Sequence, residues 1–313
     1  MKTVLITDDV HPLLLSGLEN RGFVCDYRPN ITLQECRDQV ADYYGLVINS
    51  KIKADKSFLE QARSLKFIAR LGSGLEIIDL ATAEAKGILV LSAPEGNCNA
   101  VAEHAVGMLL SLLNNLNQAD REVRQFQWNR EKNRGYELRG KTIGIIGFGH
   151  TGEAFAQKLS GFGVQVLAFD RFNTIHTNLK HVKICDLKTI QNQADIISLH
   201  VSLNASSVHM INRLFIEQCS KPFILINTAR GQAVKIEDLL WGLENGKISG
   251  ACLDVFENEK PETFTALEKD LYSYLYRMNQ VMLSPHVAGW TFESKALIAE
   301  VLLKKLDMHK NSL

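Results

Sequence analysis

The sequence carries no excess of either charge. Lysine plus arginine and aspartate plus glutamate each number 35 among its 313 residues. No net field therefore attracts the chain to nucleic acid or to an anionic membrane, and neither is expected as a partner. No apolar run is long enough to span a bilayer, and Asp8 and Asp9 interrupt the N-terminal run too early for a signal peptide. We expect a soluble, cytoplasmic protein.

The sequence also lacks a cysteine framework. Its 6 cysteines are scattered without a CxxC pair, a distribution that suits a reducing compartment and predicts free thiols. Neither an HExxH motif nor a Cys/His cluster is present, and His176 and His181 lie in a polar stretch. No metal site is therefore expected. Internal repeats and low-complexity tracts are absent as well, which excludes solenoid architectures.

What the sequence does contain is an alternation of short apolar and helical segments. With 46% hydrophobic residues, a chain of this length can bury a core in each of two domains. Strands separated by helical segments through short turns predict a parallel sheet covered on both faces. In the N-terminal part, the strand patterns occupy residues 2–7, 23–27, 45–49, 66–70 and 88–91.

The pattern changes after residue 98. Residues 99–124 predict one long amphipathic helix whose apolar side includes Met108 and Leu109. Core packing and a subunit interface explain this apolar side equally well. Residues 125–138, with Trp128 and Tyr136, indicate an extended connection that can reach a neighbouring subunit, so a homodimer is expected.

A glycine-rich segment has the pattern of strand, turn, helix and strand. Gly147, Gly149 and Gly152 form a GxGxxG motif between an apolar run and a helical pattern. Asp170 ends the next apolar run about twenty residues on, which is the context of a dinucleotide-binding fingerprint rather than of an ordinary turn. Asp170 favours NAD over NADP, because a carboxylate repels a 2′-phosphate, although Arg171 weakens this preference.

Further strand patterns follow the fingerprint, and a final helix is predicted at residues 291–309. The strand patterns occupy residues 182–185, 196–200, 223–227, 248–253 and 280–283. In a doubly wound sheet, ligands bind beyond the carboxyl ends of the strands, so polar residues at these ends are the candidates for a site. They are Ser73, Gly74, His200, and residues 227–231, 254–259 and 284–286.

Three of these candidates have chemistry that suits a carboxylic acid ligand. Arg230 projects from a strand end, and its guanidinium can bind a carboxylate bidentately or form an ordinary surface ion pair. His286 lies among small residues and can exchange a proton near neutral pH, or serve as a structural histidine. Glu259 can orient the imidazole and favour its charged form, or belong to a solvated acidic run.

Four motifs, in this order, resemble the D-isomer-specific 2-hydroxyacid dehydrogenase family: GxGxxG with its acid, NTARG, DVFENEKP and SPHVAGW. ARLGSGLEIIDL is similar to the family's glycine-rich substrate loop, and NCNAVAEHAVGMLL to the start of its interdomain helix. The resemblance covers nearly the whole chain. It implies an α/β fold of two Rossmann-like, doubly wound parallel-sheet domains, with the cofactor domain inserted into the substrate domain.

The resemblance also implies the domain limits. The flavodoxin-like substrate (catalytic) domain would comprise residues 1–98 and 286–313, and the NAD-binding Rossmann domain would comprise residues 99–285. The active site would lie in the cleft between them. No regulatory domain follows the core, so control by serine through such a domain is not expected.

The site residues are implied in the same way. Arg230 would bind the substrate carboxylate, His286 would be the catalytic acid/base, and Glu259 would orient it, with Glu257 as the alternative acid. Contacts to NAD would come from Gly147, Gly149, His150, Thr151, Gly152, Asp170, His200, Thr228, Ala229, Arg230, Asp254, His286 and Gly289. Contacts to the substrate would come from Ser50, Lys51, Ser73, Gly74, Asn97, Arg230 and His286.

The implied reaction is direct hydride transfer between the nicotinamide of NAD and a small 2-hydroxy or 2-oxo acid. His286 would exchange the hydroxyl proton, and domain closure would be part of the cycle. The phosphoglycerate dehydrogenase branch is the most similar, so D-3-phosphoglycerate and 3-phosphohydroxypyruvate are the leading substrate pair. Glyoxylate, hydroxypyruvate or another short 2-oxoacid is the alternative.

Two further alternatives stay open. Asn49 stands where the phosphoglycerate dehydrogenase branch places a phosphate-binding arginine, and Lys51 or Lys53 is the candidate substitute. A rival from another class is an NAD-sensing, corepressor-like binding protein on the same fold, which can keep the arginine, glutamate and histidine. Turnover of 2-oxoacids distinguishes an enzyme from such a protein.

Overall fold

The structure, a computed structural model, describes residues 1–172 and 174–310 and divides into two compact units. Unit 1 comprises Met1–Cys98 and Trp290–Leu313, and unit 2 comprises Asn99–Gly289. Unit 2 is thus inserted into the sequence of unit 1, and each unit is built on its own parallel sheet.

Within the described residues, unit 1 has a five-stranded parallel sheet in the order β2-β1-β3-β4-β5. Its strands are β1 (Thr3–Ile6), β2 (Val24–Tyr27), β3 (Gly45–Ile48), β4 (Phe67–Arg70) and β5 (Leu89–Ser92). The connecting helices are α1 (Pro12–Glu19), α2 (Leu33–Gln39), α3 (Lys56–Gln61) and α4 (Leu80–Ala85). Every residue of β3 is buried, which explains why its sequence GLVI is apolar throughout rather than alternating.

The two faces of this sheet are covered by different helices. Leu46 and Ile48 of β3 pack on one face with residues of α2 and α3, among them Phe58. Val47, between them, packs on the other face with α1 and with the C-terminal helix α12 (Phe292–Met308). Successive side chains of a strand point to opposite faces, so a strand covered on both faces needs an unbroken apolar run.

Helix α12 packs against α1. Leu303 occupies the space beside Gly17, where a Cβ would collide with the leucine methyl groups. The guanidinium of Arg21 donates hydrogen bonds of 2.7 and 2.6 Å to the carboxylate of Asp307. Thr291 caps the helix by accepting a hydrogen bond from Ser294 N, close to the start predicted from the sequence.

Unit 2 has, within the described residues, a seven-stranded parallel sheet in the order β12-β11-β10-β9-β6-β7-β8. Its strands are β6 (Thr142–Ile146), β7 (Gln165–Phe169), β8 (Val182–Ile184), β9 (Ile196–Leu199), β10 (Phe223–Asn227), β11 (Ile248–Leu253) and β12 (Val281–Leu283). Helices α7 (His150–Lys158), α8 (Leu187–Gln193), α9 (Arg213–Glu217), α10 (Ile236–Glu244) and α11 (Ala266–Leu275) connect them. The predicted fold class, with two doubly wound parallel sheets, is confirmed.

The prediction of a single long helix at residues 99–124 is wrong. Two helices occupy this region, α5 (Pro94–Leu113) and α6 (Leu116–Arg124). Asn115 separates them with a φ of 52°, a left-handed conformation that asparagine tolerates better than most residues.

The extended connection predicted at residues 125–138 is also wrong. This segment folds back onto α6 because the carboxylate of Glu122 accepts hydrogen bonds from Lys132 Nζ and Asn133 Nδ2, at 2.8 and 2.6 Å. We call residues 116–138, which include α6, the arm.

Strand β6 lies at the point where the connections of the sheet change direction. It pairs with β7 on one side and with β9 on the other. In doubly wound sheets, ligands bind beyond the carboxyl ends of the strands at such a switch point. The turn from β6 into α7 is therefore the place to look for a site.

Candidate active site

The GxGxxG turn lies between β6 and α7. Gly147 has a φ of 91°, which L side chains rarely adopt, and a Cβ there would meet the backbone of His200. At Gly152, a Cβ would collide with the carbonyl oxygen of Gly147. Gly149 instead faces open space at the N-terminus of α7, where no side chain caps the helix. These features fit a pyrophosphate, because free amide hydrogens and the helix dipole attract anions.

Asp170 follows β7 and contacts this turn. Its Oδ2 accepts a hydrogen bond of 2.8 Å from Phe148 N, and its Oδ1 accepts one of 2.9 Å from Phe172 N. The acid that the sequence assigns to NAD thus also fixes the fingerprint turn. His150 and Thr151 lie beside it in the first turn of α7.

Two buried polar atoms beyond β9 and β10 have no protein partner among the described residues. They are Nδ1 of His200 and Oγ1 of Thr228. Burial lowers the pKa of His200 to about 3, so its imidazole is neutral at physiological pH. Its Nε2 lies 2.9 Å from Ser198 Oγ. Because buried polar groups are normally hydrogen-bonded, the two unpaired atoms fit a polar ligand such as a dinucleotide.

His286 and Glu259 form an imidazole–carboxylate pair in unit 2. Nδ1 of His286 lies 2.8 Å from Oε2 of Glu259, whereas its Nε2 hydrogen-bonds none of the described residues. The backbone of His286 is left-handed, with a φ of 54°. Burial raises the pKa of Glu259, but the hydrogen bond and the charge of His286 outweigh burial, so the pKa lies below its ordinary value.

This pairing decides between the two candidate acids. Oε1 of Glu257 contacts Nε2 of a different histidine, His209, and Oε2 of Glu257 accepts a 2.8 Å hydrogen bond from Ile236 N at the start of α10. Glu259, and not Glu257, is therefore the partner of His286.

Arg230 belongs to the same group of residues. After burial and the pairing with His286, its charge is a further influence that lowers the pKa of Glu259. Nη1 of Arg230 donates a 2.7 Å hydrogen bond to Ala229 O. Gly231, the next residue, packs so closely on Phe256 that a Cβ would overlap the phenylalanine carbonyl group. The turn that carries Arg230 is thereby held against the segment that carries Glu259.

Asp254 holds the loop that carries His286. Its side chain is fully buried, and its Oδ1 and Oδ2 accept hydrogen bonds of 3.0 and 2.9 Å from Val287 N and Ala288 N. Its carbonyl oxygen accepts a third, of 2.7 Å, from His286 N. The resemblance assigns Asp254 and the nearby Gly289 to the cofactor, and for Asp254 the structure adds this structural role.

The substrate residues predicted in unit 1 lie at the carboxyl edge of its sheet or just beyond it. They are Ser50 and Lys51 after β3, Ser73 and Gly74 after β4, and Asn97 in the first turn of α5. Nζ of Lys51 donates a hydrogen bond to Pro29 O. Their contacts with a substrate stay predictions.

The rest of the described chain contains no metal site, membrane-spanning helix or disulfide. Within residues 1–172 and 174–310, no group of three or more His, Cys, Asp or Glu side chains could hold a metal ion. No helix among these residues is long and apolar enough to cross a membrane. The 6 cysteines all lie in the described ranges and are free thiols, as predicted.

Comparison with known proteins assigns the family. The family model described as "D-isomer specific 2-hydroxyacid dehydrogenase, NAD binding domain" matches residues 106–288, which lie within unit 2. The chain belongs to this family. The resemblance seen in the sequence is therefore confirmed, and so is NAD as the cofactor of the domain.

Named relatives differ in what they act on. The chain is 30% identical to D-3-phosphoglycerate dehydrogenase of Archaeoglobus fulgidus over 97% of its own length, but it spans only 56% of that relative. It is 36% identical to glyoxylate reductase of Thermofilum pendens, over 87% of the chain and 80% of the relative. The crystal structure of D-lactate dehydrogenase from Aquifex aeolicus, complexed with NAD and lactic acid, matches with a TM-score of 0.85 and 26% identity, over 99% of this chain and 95% of that one.

One residue near His286 has no role in the sequence-based site. His104 of α5 lies with its Nε2 2.8 Å from Ser284 Oγ, at the base of the loop that carries His286. In the sequence it stands out only as one of the few ionisable side chains in a largely apolar helix.

We expect Gly149→Ala to weaken NADH binding without destabilising the fold. The added methyl group enters the open space before α7, where the pyrophosphate approaches the backbone, so Kd should rise about tenfold. Gly152→Ala is the matched control, because its methyl group meets the carbonyl of Gly147 and should cost about 1–3 kcal/mol of stability. Fluorescence titration and thermal unfolding measure the two effects. Wild-type affinity for NADH in Gly149→Ala would contradict this site.

Proposed function

We propose that this chain is an NAD-dependent oxidoreductase acting on a small D-2-hydroxy or 2-oxo acid, with unit 2 binding the cofactor and supplying Arg230, Glu259 and His286 to the reaction. The observation that carries the proposal is the hydrogen bond between His286 and Glu259, which leaves Nε2 of the imidazole available for a substrate proton. Arg230, whose charge acts on the same carboxylate, supplies a cation for an acid substrate. The family assignment supports this function.

In this mechanism the residues of unit 2 bind the acid and exchange its proton. When bound by unit 2, NAD would supply or accept the hydride. Arg230 holds the substrate carboxylate in a bidentate ion pair and so orients the reacting carbon. Because Nδ1 of His286 donates to Glu259, Nε2 gives its proton to the substrate oxygen in reduction and takes it back in oxidation. Although burial raises it, pairing with His286 keeps the pKa of Glu259 low, so its carboxylate stays charged at neutral pH and stabilises the imidazolium.

Arg230→Ala should abolish turnover and spare NADH binding. Loss of the guanidinium leaves the substrate carboxylate without its ion pair, so kcat/KM should fall about a hundredfold or more. Steady-state assays with NADH and a panel of 2-oxoacids, together with NADH titration, test this. Arg230→Lys keeps the charge but lacks the planar guanidinium. Its kcat/KM should therefore lie between those of the wild type and Arg230→Ala. A wild-type chain that binds NADH but turns over no 2-oxoacid would favour the corepressor-like alternative.

Glu259→Gln should move the alkaline limb of the pH profile of reduction to lower pH. Reduction needs the imidazolium of His286, and the neutral amide no longer stabilises its charge, so activity is lost at a lower pH than in the wild type. The matched control is Glu257→Gln, which changes a carboxylate only two residues away that pairs with His209 and caps α10. The control should lower stability and leave the limb in place. If the alkaline limb of the pH profile lay at the same pH in the wild type and in Glu259→Gln, the role of Glu259 would be refuted.

The substrate pair we propose first is D-3-phosphoglycerate and 3-phosphohydroxypyruvate, which the similarity to D-3-phosphoglycerate dehydrogenase supports. Lys53 is exposed and has no partner among the described residues, so it is a cation available for a phosphate. A short unphosphorylated 2-oxoacid is the second candidate. The similarity to glyoxylate reductase favours it, and so does the hydrogen bond from Lys51 Nζ to Pro29 O, which engages one of the two lysines proposed for a phosphate.

A comparison of 3-phosphohydroxypyruvate with hydroxypyruvate separates these candidates. If Lys53 binds the phosphate, kcat/KM should favour the phosphorylated acid by about a hundredfold, and Lys53→Ala should remove most of this preference. Lys56 is an exposed lysine at the start of α3, and Lys56→Ala is the control. This variant should keep the preference for the phosphorylated acid. Equal rates, or a preference for hydroxypyruvate or glyoxylate, would instead select the unphosphorylated class.

We propose that the arm forms a homodimer interface. Phe126, Trp128 and Tyr136 are 99%, 76% and 72% exposed, a concentration of aromatic surface that is typical of interaction sites. The arm is held in shape by Glu122. Hydrogen bonds from side chains of the arm, with that of Lys132 the strongest, lower the pKa of Glu122 to about 2, so the carboxylate stays charged. An ordered aromatic surface of this kind suits a second copy of the chain.

Substitution of both Phe126 and Trp128 by serine should convert the dimer to a monomer, because it removes the largest exposed apolar groups of the arm. Sedimentation equilibrium measures the association. Leu267→Ser on α11, 64% exposed, is the control and should leave the dimer intact. A monomeric wild type, or a dimeric double variant, would exclude the arm as the interface.

We place the chain in the cytoplasm on the basis of its thiols. Burial raises the pKa of Cys25 and of Cys219 to about 11, so both stay protonated and unreactive. Free, unreactive thiols are compatible with a reducing compartment.

A further inference from the structure

The loop at residues 284–289 holds His286 in a strained conformation. A left-handed backbone at a residue other than glycine, here with a φ of 54°, costs about 1–3 kcal/mol and persists only when its surroundings hold it. Asp254 holds it, since it accepts hydrogen bonds from three successive amides, those of residues 286–288. The position of the imidazole therefore depends on where the carboxylate of Asp254 lies.

A hydroxyl group fixes that carboxylate. Oγ of Ser284 donates to Oδ1 of Asp254. A hydroxyl has a single proton, so the same oxygen can serve another strong partner only as an acceptor. The partner is Nε2 of His104 at 2.8 Å, which therefore carries a proton and donates it to the serine. Met108 Sδ, 3.7 Å from the hydroxyl, is a weak acceptor that does not compete with a carboxylate.

His104 is anchored on a rigid element. It lies in α5, between the buried residues Ala102 and Ala105, and its side chain is 27% exposed. Its Nε2 also lies 3.6 Å from Oδ1 of Asp254, whose side chain is only 1% exposed. A carboxylate so deeply buried needs all of its surrounding donors, because an unmatched buried charge is costly. The imidazole thus acts on Asp254 through Ser284, because it occupies the acceptor side of the hydroxyl and leaves the hydroxyl proton for the carboxylate.

We infer that His104 is a positioning residue for His286. It orients the hydroxyl of Ser284, which orients Asp254, which in turn holds the amides of residues 286–288 and so keeps the backbone of His286 in its left-handed conformation. The inference rests on the proposed function, in which His286 is the acid/base. Because His104 acts through Ser284 and Asp254, its effect on turnover is indirect.

The test compares His104→Gln with His104→Asn. The amide nitrogen of glutamine can reach the place of Nε2, whereas that of asparagine ends near the place of Nδ1 and cannot reach Ser284. His104→Asn should lower kcat about ten- to a hundredfold with the KM for NADH little changed, and His104→Gln should restore most of it. Ser284→Ala should match His104→Asn, and the double variant should lose no more than either single one.

Hydrogen exchange supplies a readout that does not depend on turnover. In His104→Asn the amides of residues 286–288 should exchange faster than in the wild type, while those of β6 and β9 keep their rates. His104→Gln should restore the slow exchange. The inference would be overturned if His104→Asn and His104→Gln had equal exchange rates at residues 286–288 and equal kcat. Faster exchange throughout unit 2 would overturn it as well. If the wild type turns over no 2-oxoacid, the proposed function fails, and the exchange rates still decide whether His104 holds this loop.

Discussion

The buried carboxylate of Asp254 is the constraint on which the candidate active site depends. It follows β11, and it binds the backbone of the loop that follows β12, the neighbouring strand in the sheet. Through this one side chain, the end of one strand determines the conformation of the next loop. Because the group is charged and shielded from water, a misplaced hydrogen bond would leave it unsatisfied at a cost of about 1–3 kcal/mol or more. The site is therefore held rigidly before any ligand binds.

The three residues proposed for catalysis and substrate binding come together because of strand order. Arg230 follows β10, Glu259 follows β11 and His286 follows β12, and these three parallel strands are adjacent in the sheet. Their carboxyl ends therefore lie along one edge, and short loops suffice to bring a guanidinium, a carboxylate and an imidazole into one region. Convergence of residues that are far apart in the chain is a consequence of the doubly wound topology.

The same logic explains which features could be predicted from the sequence. The buried parallel strands and the glycine turn leave local patterns, so the fold class and the places of Arg230 and His286 follow from them. The break at Asn115 has no such pattern, because it depends on one residue that accepts a left-handed backbone. The partner of His104 lies 180 residues away in the chain, and only the folded sheet shows that the two meet.

The return of α12 to unit 1 has a consequence for how the chain acquires its shape. Ala299, Leu302, Leu303 and Leu306 of this helix fill the core on one face of the first sheet, beside Val47 and α1. That face exposes apolar surface until helix α12 has left the ribosome, although the strands beneath it are made well before this helix. Unit 2 has no such dependence and can complete its own core first. During synthesis the nascent first sheet is thus a natural substrate for chaperones, and truncation within α12 would leave it prone to aggregation.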